Sequence, residues 1–225
     1  MALFLTGGGD QENFEDIDER FSQALGANAK VLVIPFSNEE KEYFHVKQRV
    51  QECFPETAVF LCATAENLVF EKIKDYDALF FEGGNTFKLI TEVRSRMNDI
   101  KRFYQQEGKH IYADSAGAII LGNNVKSAFL GEEADEDENK LQDYRGVGLI
   151  EPWSIHCHFE ARDREDLEDL MYDLGSTILA LSEECSIFLE KGELENLGPD
   201  ELEIFSFEGH KKLARGERAL LDITS

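Results

Sequence analysis

Short apolar runs alternate with segments whose apolar residues recur at helical spacing, and this alternation restricts the fold more than any other feature of the sequence. Residues 2–6 and 30–35 are almost continuously apolar, as strands buried on both faces are. Between them, Phe14, Ile17 and Phe21 mark one face of an amphipathic helix. A strand, a crossover helix and a second strand make a βαβ unit, so the sequence predicts a parallel sheet.

The same alternation continues through the first half of the chain. It predicts helices near 43–54 and 90–97, and strands over 57–62, 77–81 and 109–113. The last third instead carries short apolar runs separated by glycine-containing turns, at 185–190, 202–207 and 218–223. These runs predict antiparallel strands that complete the edge of the sheet. We therefore expect one α/β domain over 1–225, with a mostly parallel sheet and helices on both faces.

Charge and composition limit the partners. The 225 residues include 46 acidic and 23 basic ones, for a net charge of -23, which opposes both a phosphate backbone and an anionic membrane surface. The first apolar stretch is too short for a secretory signal, and no later run approaches the ~18 residues of a membrane helix. The four cysteines lack C-x-x-C spacing. We expect a cytoplasmic protein, monomer or homodimer, without nucleic-acid or membrane partners.

A serine lies where a strand turns directly into a helix. The segment 112–118 reads Tyr-Ala-Asp-Ser-Ala-Gly-Ala, and it resembles the G-x-S-x-G elbow with Ala113 in place of the first glycine. Such a turn holds the Ser115 hydroxyl out of the sheet, where it can act as a nucleophile. The alternative is an ordinary turn serine.

A serine nucleophile needs a base, and the best-placed candidates among the five histidines are His156 and His158. They flank Cys157 near the end of the strand-like run 153–159, at the end of a parallel strand where α/β sites assemble. Strand alternation predicts that both lie on one face, one as base and the other beside it. Two imidazoles at this spacing also suit a metal, but a zinc site needs a third ligand, which the acidic loop could supply, and a second-shell partner. We expect no metal site.

A triad also requires an acid that orients the imidazole. The dense acidic stretch 131–143 lies between the serine and the histidines and predicts a surface loop. It offers many carboxylates, and the sequence alone does not choose among them.

Glycine pairs follow two of the predicted strands. Gly83-Gly84 comes after the strand at 77–81, where backbone amides could complete an oxyanion hole with the N–H of Ala116. The alternative is a tight turn that requires glycine. The run Gly7-Gly8-Gly9 lacks the G-x-G-x-x-G spacing of a nucleotide-binding loop, so no nucleotide site is expected.

Together, these motifs resemble the dipeptidase E and cyanophycinase family of serine peptidases. The resemblance is carried by Gly-Gly-Asn-Thr-Phe at 83–87, Ser-Ala-Gly-Ala at 115–118, and the His158-Phe159 pair, in matching order and spacing. It implies a flavodoxin-like three-layer sandwich, similar to class I glutamine amidotransferases. It also implies a serine peptidase that cleaves short peptides, including α-aspartyl dipeptides, without a cofactor.

The resemblance assigns roles to particular residues. Ser115 is the implied nucleophile, His158 the base, and Gly84 and Ala116 the oxyanion donors. The acid falls near Glu133, with Asp135 and Asp137 as alternatives. An aspartyl substrate would need a local cation, and the implied substrate-binding residues are Asn85, Arg162 and Arg164.

Two other functions compete with this prediction. The fold could serve as a catalytically weak or inactive binding or regulatory module, because a fold does not by itself establish a function. A glutaminase-like amide hydrolase would prefer a cysteine at the elbow, and none of the four cysteines is there.

Overall fold

The computed structural model describes residues 1–222, which contain twelve strands and seven α-helices. The strands are β1 (Ala2–Thr6), β2 (Lys30–Ile34), β3 (Ala58–Leu61), β4 (Ala78–Phe81), β5 (His110–Asp114), β6 (Ser154–His156), β7 (Ile178–Ala180), β8 (Ser186–Glu190), β9 (Glu193–Asn196), β10 (Leu202–Ser206), β11 (Gly209–Leu213) and β12 (Arg218–Leu220). The helices are α1 (Glu15–Leu25), α2 (Tyr43–Cys53), α3 (Phe70–Ile73), α4 (Thr86–Val93), α5 (Met97–Tyr104), α6 (Ala116–Leu121) and α7 (Arg164–Leu174).

Eight strands form the main sheet, in the order β12-β9-β8-β1-β5-β4-β2-β3. The five strands from β1 to β3 in this order run parallel, and β8, β9 and β12 extend the sheet antiparallel. This arrangement agrees with the predicted parallel sheet and its antiparallel C-terminal edge.

Helices cover both faces of the parallel strands, and side-chain alternation explains why those strands are apolar throughout. On β1, Leu3 and Leu5 pack into a core with residues of α4, α5 and α6. Ala2 and Phe4 point to the opposite face and pack with residues of α1 and α2. All four are at most 1% exposed, so a polar residue at any of them would face one of the two cores.

A second, smaller sheet carries the order β11-β10-β7-β6 and was not predicted from the sequence. The apolar runs at 202–207 and at 153–159 contribute to it, so β10 does not complete the edge of the main sheet. Strands β6 and β7 are parallel, while β10 pairs antiparallel with both β7 and β11. The residue alternation identifies a strand but not its neighbour, which is why this separation was missed.

Three further predictions need correction at their boundaries. The helix predicted over 90–97 is split, since α4 ends at Val93 and α5 begins at Met97, with a 3-10 turn over 94–96. The run 153–159 is a strand only over Ser154–His156. The run 218–223 is a strand only over Arg218–Leu220, which is β12, and its final residue, Ile223, lies outside the described residues. Within 1–222, no helix is long and apolar enough to cross a bilayer.

Candidate active site

The loops that follow three parallel strands of the main sheet, β1, β4 and β5, lie next to one another. In the register of the sheet, Thr6 at the end of β1 pairs with Asp114 at the end of β5, and Phe81 at the end of β4 pairs with Ala113. Ser115 therefore lies between two glycine-containing loops, 7–9 and 83–84. This is the carboxyl edge of the sheet, where α/β proteins assemble their sites.

Ser115 occupies a strained turn between β5 and α6. Its backbone has φ 43° and ψ -110°, a conformation that a residue with a side chain rarely adopts. Gly117 makes the turn possible, because a Cβ at this position would lie 2.4 Å from the Phe81 carbonyl oxygen. Ala113, which replaces the first glycine of the elbow pattern, is fully buried in the core. The turn that holds the serine therefore requires the second glycine of the G-x-S-x-G pattern, at Gly117, but not the first.

His158 reaches this serine from the second sheet. Its Nε2 lies 2.8 Å from Ser115 Oγ, and its backbone N–H donates to the Gly7 carbonyl at 3.1 Å. The residue lies beyond the end of β6 and has φ 55°. Strand alternation therefore does not extend to His158, and His156, buried at 1% exposure, does not share a strand face with it.

The carboxylate at hydrogen-bond distance from His158 is Glu183. Its Oε1 lies 3.1 Å from Nδ1, whereas Oε2 of Glu133 lies 3.9 Å from the same atom. Glu183 was missed because only acids between Ser115 and His158 in the sequence were considered. It follows β7, the parallel neighbour of β6, and the short apolar run 178–181, which was not predicted as a strand, is the signal that could have found it.

The other two candidate acids have partners elsewhere. Asp135 Oδ2 accepts a hydrogen bond from the Thr86 backbone N–H at 2.8 Å. Asp137 Oδ2 accepts from the Leu141 backbone N–H at 2.8 Å and from the Tyr144 hydroxyl at 3.0 Å. These bonds tie the acidic loop to α4 and to itself, so the loop is a structured wall of the site.

Of the predicted oxyanion donors, Ala116 directly follows the nucleophile and Gly84 lines the same cavity as Ser115. Ala116 is the first residue of α6, so its N–H has no acceptor within the helix. Gly84 has φ 131°, a conformation that favours glycine, and a Cβ at Gly83 would lie 3.4 Å from Ser115 Cβ. Asn85 caps α4 by accepting from the Lys88 N–H, and its side-chain amide donates to the Glu136 carbonyl at 3.0 Å. Asn85 therefore connects the glycine turn to the acidic loop.

Gly8 gives the serine and histidine the room they occupy. It has φ 102°, and a Cβ at this position would lie 2.5 Å from His158 Nε2 and 2.9 Å from Ser115 Cβ. A side chain at Gly8 would therefore displace one of the two. From the sequence alone, this glycine run was considered only as a nucleotide-binding loop and received no other role.

The two predicted substrate-binding arginines are both engaged with acidic residues. Arg162 contacts Glu132 and also Glu160, whose Oε1 lies 2.9 Å from Nη2. Arg164 lies 2.6 Å from Glu203 on β10. Arg164 therefore joins α7 to the second sheet.

A cavity of about 290 Å³ opens at the Ser115–His158 pair. Its lining includes both loops of glycines, Asp114, Glu133, Asp135 and His156. One ligand atom each from Glu133, His158 and Glu183 lies within 4.8 Å of the others, so these three could hold a metal ion. A metal there would take the Nδ1 of His158 that now faces Glu183, and the serine would lose its oriented base.

Buried carboxylates surround the base of this cavity. Burial raises the pKa of Asp114, although its Oδ1 accepts a hydrogen bond from the Thr6 hydroxyl at 2.6 Å. Burial also raises the pKa of Glu82 to about 7, against the opposing effect of its ion pair with Arg49. Asp114 therefore does not point into solvent, and both groups are held where water solvates them poorly.

The raised pKa of Glu82 predicts a pH-dependent stability. The folded protein keeps this carboxyl protonated at pH values where the unfolded chain has lost the proton, so the stability contribution falls as pH rises from about 4.5 to about 7. Between pH 5 and pH 8 the native protein should lose about 2 kcal/mol more free energy of unfolding than Glu82→Gln. Urea denaturation at each pH measures this, with the exposed Glu52→Gln on α2 as control. Parallel pH curves for native protein and Glu82→Gln would contradict the prediction.

Sequence and structure comparisons assign the chain to a family. The model of peptidase family S51 matches residues 3–197. The chain belongs to peptidase family S51. This confirms the resemblance to the dipeptidase E family predicted from its motifs. A curated relative, "Peptidase E" of Shewanella amazonensis (strain ATCC BAA-1098 / SB2B), is 25% identical over 146 residues. That match covers 60% of this chain and 60% of the length of the relative.

Solved structures show the same fold as this S51 chain. A peptidase from an acI-B1 Actinobacterium superposes with a TM-score of 0.74 at 19% identity, covering 97% of this chain and 96% of that one. A protein of Listeria monocytogenes EGD-e, provisionally assigned as peptidase E, gives 0.66 at 20% identity, covering 88% and 98%. These likenesses confirm the predicted α/β fold with its large, mostly parallel sheet.

Proposed function

We propose that this S51 member is a serine peptidase of short peptides, with Ser115 as nucleophile, His158 as base and Glu183 as the acid. The observation that carries the proposal is the chain of two contacts, 2.8 Å from Ser115 Oγ to His158 Nε2 and 3.1 Å from His158 Nδ1 to Glu183 Oε1. Serine hydrolases need this order of nucleophile, base and orienting acid. Both sheets contribute to it, which supports treating 1–225 as one peptidase domain.

In the proposed acylation step, Ser115 Oγ attacks the carbonyl carbon of the scissile peptide bond as His158 Nε2 accepts the hydroxyl proton. The carbonyl oxygen becomes an oxyanion, for which the N–H groups of Gly84 and Ala116 are the nearby backbone donors. His158 then gives its proton to the leaving nitrogen, and the C–N bond breaks. Glu183 stabilises the imidazolium that exists between the two proton transfers.

In the deacylation step, water attacks the ester of Ser115 while His158 accepts a proton from it. The ester bond breaks, and the proton returns to Ser115 Oγ, which releases the carboxylic acid product. Water is the co-reactant, and the cycle returns Ser115 and His158 to their starting states.

An active-site phosphonate tests this function without knowledge of the substrate. Intact mass after incubation with a fluorophosphonate should show one adduct on the native protein and none on Ser115→Ala, because only an activated serine displaces fluoride. A native protein that stays unlabelled, while a small hydrolase of known activity is labelled in parallel, would instead favour the binding or regulatory module.

The aspartyl preference remains a prediction from the resemblance to the family. The arginines that it assigned to the substrate carboxylate, Arg162 and Arg164, pair with Glu132, Glu160 and Glu203. An aspartyl substrate would have to compete with these carboxylates for either arginine.

A further inference from the structure

The cavity at Ser115 is lined by acidic and hydrogen-bond-accepting groups. Its carboxylates belong to Glu82, Asp114, Glu133 and Asp135. Among the described residues that line it, none is a lysine or arginine. A ligand that enters this cavity therefore meets carboxyl groups on several sides.

Two buried acceptors of the cavity lack a hydrogen-bond partner. His156 Nδ1 lies 3.2 Å from the Ser127 carbonyl oxygen, so Nδ1 must carry the hydrogen, and burial lowers the pKa of the ring, which keeps it neutral. Its Nε2 is then an acceptor, and no donor reaches it within residues 1–222. Oε2 of Glu82 is likewise buried and unpaired, and it is an acceptor once this carboxyl, whose pKa burial raises to about 7, has lost its proton. Buried acceptors without donors are unfavourable, and a ligand with N–H groups would satisfy them.

Asp163 adds a carboxylate close to the unpaired Nε2 of His156. Asp163 Oδ2 lies 3.8 Å from His156 Nε2, and both side chains are at most 6% exposed. A substrate ammonium or guanidinium near this pair would meet an imidazole lone pair and a carboxylate together. A substrate carboxylate there would meet repulsion from Asp163 and no donor.

Negative charge continues outside the cavity. An adjoining recess of about 330 Å³ beyond His158 is lined by Glu132, Glu160, Glu183, Glu184 and Asp200. The cations close to either space are engaged, since Arg49 pairs with Glu82 and Arg162 pairs with Glu132. The electrostatic field at the entrance therefore attracts cationic peptides and repels anionic ones.

We propose that this cavity selects peptides that place a positively charged group, an ammonium or a guanidinium, next to the scissile bond, and that it disfavours aspartyl peptides. The inference rests on the proposed peptidase function and specifies its substrate class. The charged group can come from a basic side chain or from the free α-amino group of a short peptide. Both sources present the same N–H donors to the unpaired acceptors.

Matched dipeptides test the inference. We expect kcat/KM for Lys-Leu to exceed that for Met-Leu, which has a neutral side chain of similar length, by about tenfold, and Asp-Leu to be about tenfold poorer than Met-Leu. A lysine advantage that persists in the N-acetylated pair assigns recognition to the side chain. A loss of tenfold or more on acetylating Met-Leu assigns it to the α-ammonium group. Asp-Leu turned over as fast as Met-Leu would overturn the inference.

A variant identifies the groups responsible. Glu133, whose side chain is 65% exposed, can become glutamine without disturbing the core. Two ratios of kcat/KM report the recognition: Lys-Leu to Met-Leu for the side chain, and Met-Leu to N-acetylated Met-Leu for the α-ammonium group. Glu133→Gln should reduce by about threefold whichever of these ratios is large in the native enzyme. The ratio compares two substrates of one variant, so any change in catalysis through His158 cancels. Glu138→Gln, an exposed acid of the same loop outside the cavity lining, should leave the ratio unchanged.

The two proposals can fail separately. A protein that is labelled at Ser115 by the fluorophosphonate but shows no charge preference retains the peptidase function and loses only the charge selectivity. A protein that is not labelled and cleaves none of the dipeptides loses the peptidase function itself.

Discussion

Replacing His158 with glutamine is expected to lower kcat/KM for Met-Leu by about 10⁴-fold. Nε2 of this residue is the nitrogen that lies 2.8 Å from Ser115 Oγ. Glutamine can hydrogen-bond to the serine but cannot accept and return its proton at neutral pH, so the hydroxyl stays a poor nucleophile. The variant should also lose the fluorophosphonate adduct, because labelling requires the same activation.

His45→Gln is the matched control for this substitution. His45 is exposed on α2 and does not line the cavity at Ser115. Its replacement should therefore leave both activity and labelling unchanged. Urea denaturation of both variants separates a chemical loss from a folding defect. A His158→Gln enzyme that keeps a tenth or more of native activity would contradict the assignment of this residue as base.

Much of the parallel sheet follows from the sequence, because strands covered by helices on both faces must be apolar throughout. The runs at 2–6, 30–35 and 77–81 are short and almost continuously apolar, as such strands are, and they form β1, β2 and β4. The second sheet was not predictable in the same way. A strand as short as β6, which reads Ser-Ile-His, carries too little pattern to say which strand it will pair with.

The residues of the site likewise differ in whether the local sequence alone could predict them. Ser115 is recognisable because its turn depends on neighbours in sequence, above all on Gly117, which lets α6 approach β4. Glu183 depends on a neighbour in space, since β7 is placed beside β6 only by the fold. Local pattern was therefore enough to propose Ser115 as nucleophile and His158 as base, whereas placing the acid between them in the sequence was an assumption about topology.

Backbone strain at the site is also held by contacts between segments that are distant in the sequence. Ser115 and His158 both have positive φ, at 43° and 55°. Neither is glycine, so surrounding contacts must hold these conformations. For His158 those contacts are the hydrogen bond of its N–H to the Gly7 carbonyl and that of the Phe159 N–H to the Leu181 carbonyl. The first bond joins His158 to the loop after β1, and the second joins Phe159 to the residue that follows β7, just before Glu183. This segment therefore aligns Ser115, His158 and Glu183.

Replacing Glu183 with glutamine is expected to lower kcat for Met-Leu by about 10²-fold. Glu183 Oε1 lies 3.1 Å from His158 Nδ1, so the carboxylate fixes the ring orientation and stabilises the imidazolium. The loss should be smaller than for a buried triad acid, because the Glu183 side chain is 55% exposed and water can partly replace it.

Two neighbouring acids make this test specific. Glu133 lies 3.9 Å from the same nitrogen, beyond a hydrogen bond, so Glu133→Gln should change kcat for Met-Leu by less than about threefold. Glu184→Gln, beside Glu183 in the chain, should have no effect on kcat, since Glu184 makes no described contact with His158. Steady-state kinetics on the three variants rank the acids. If Glu133→Gln shows the larger loss, the acidic loop supplies the acid, and the contact to Glu183 only limits the space open to the ring.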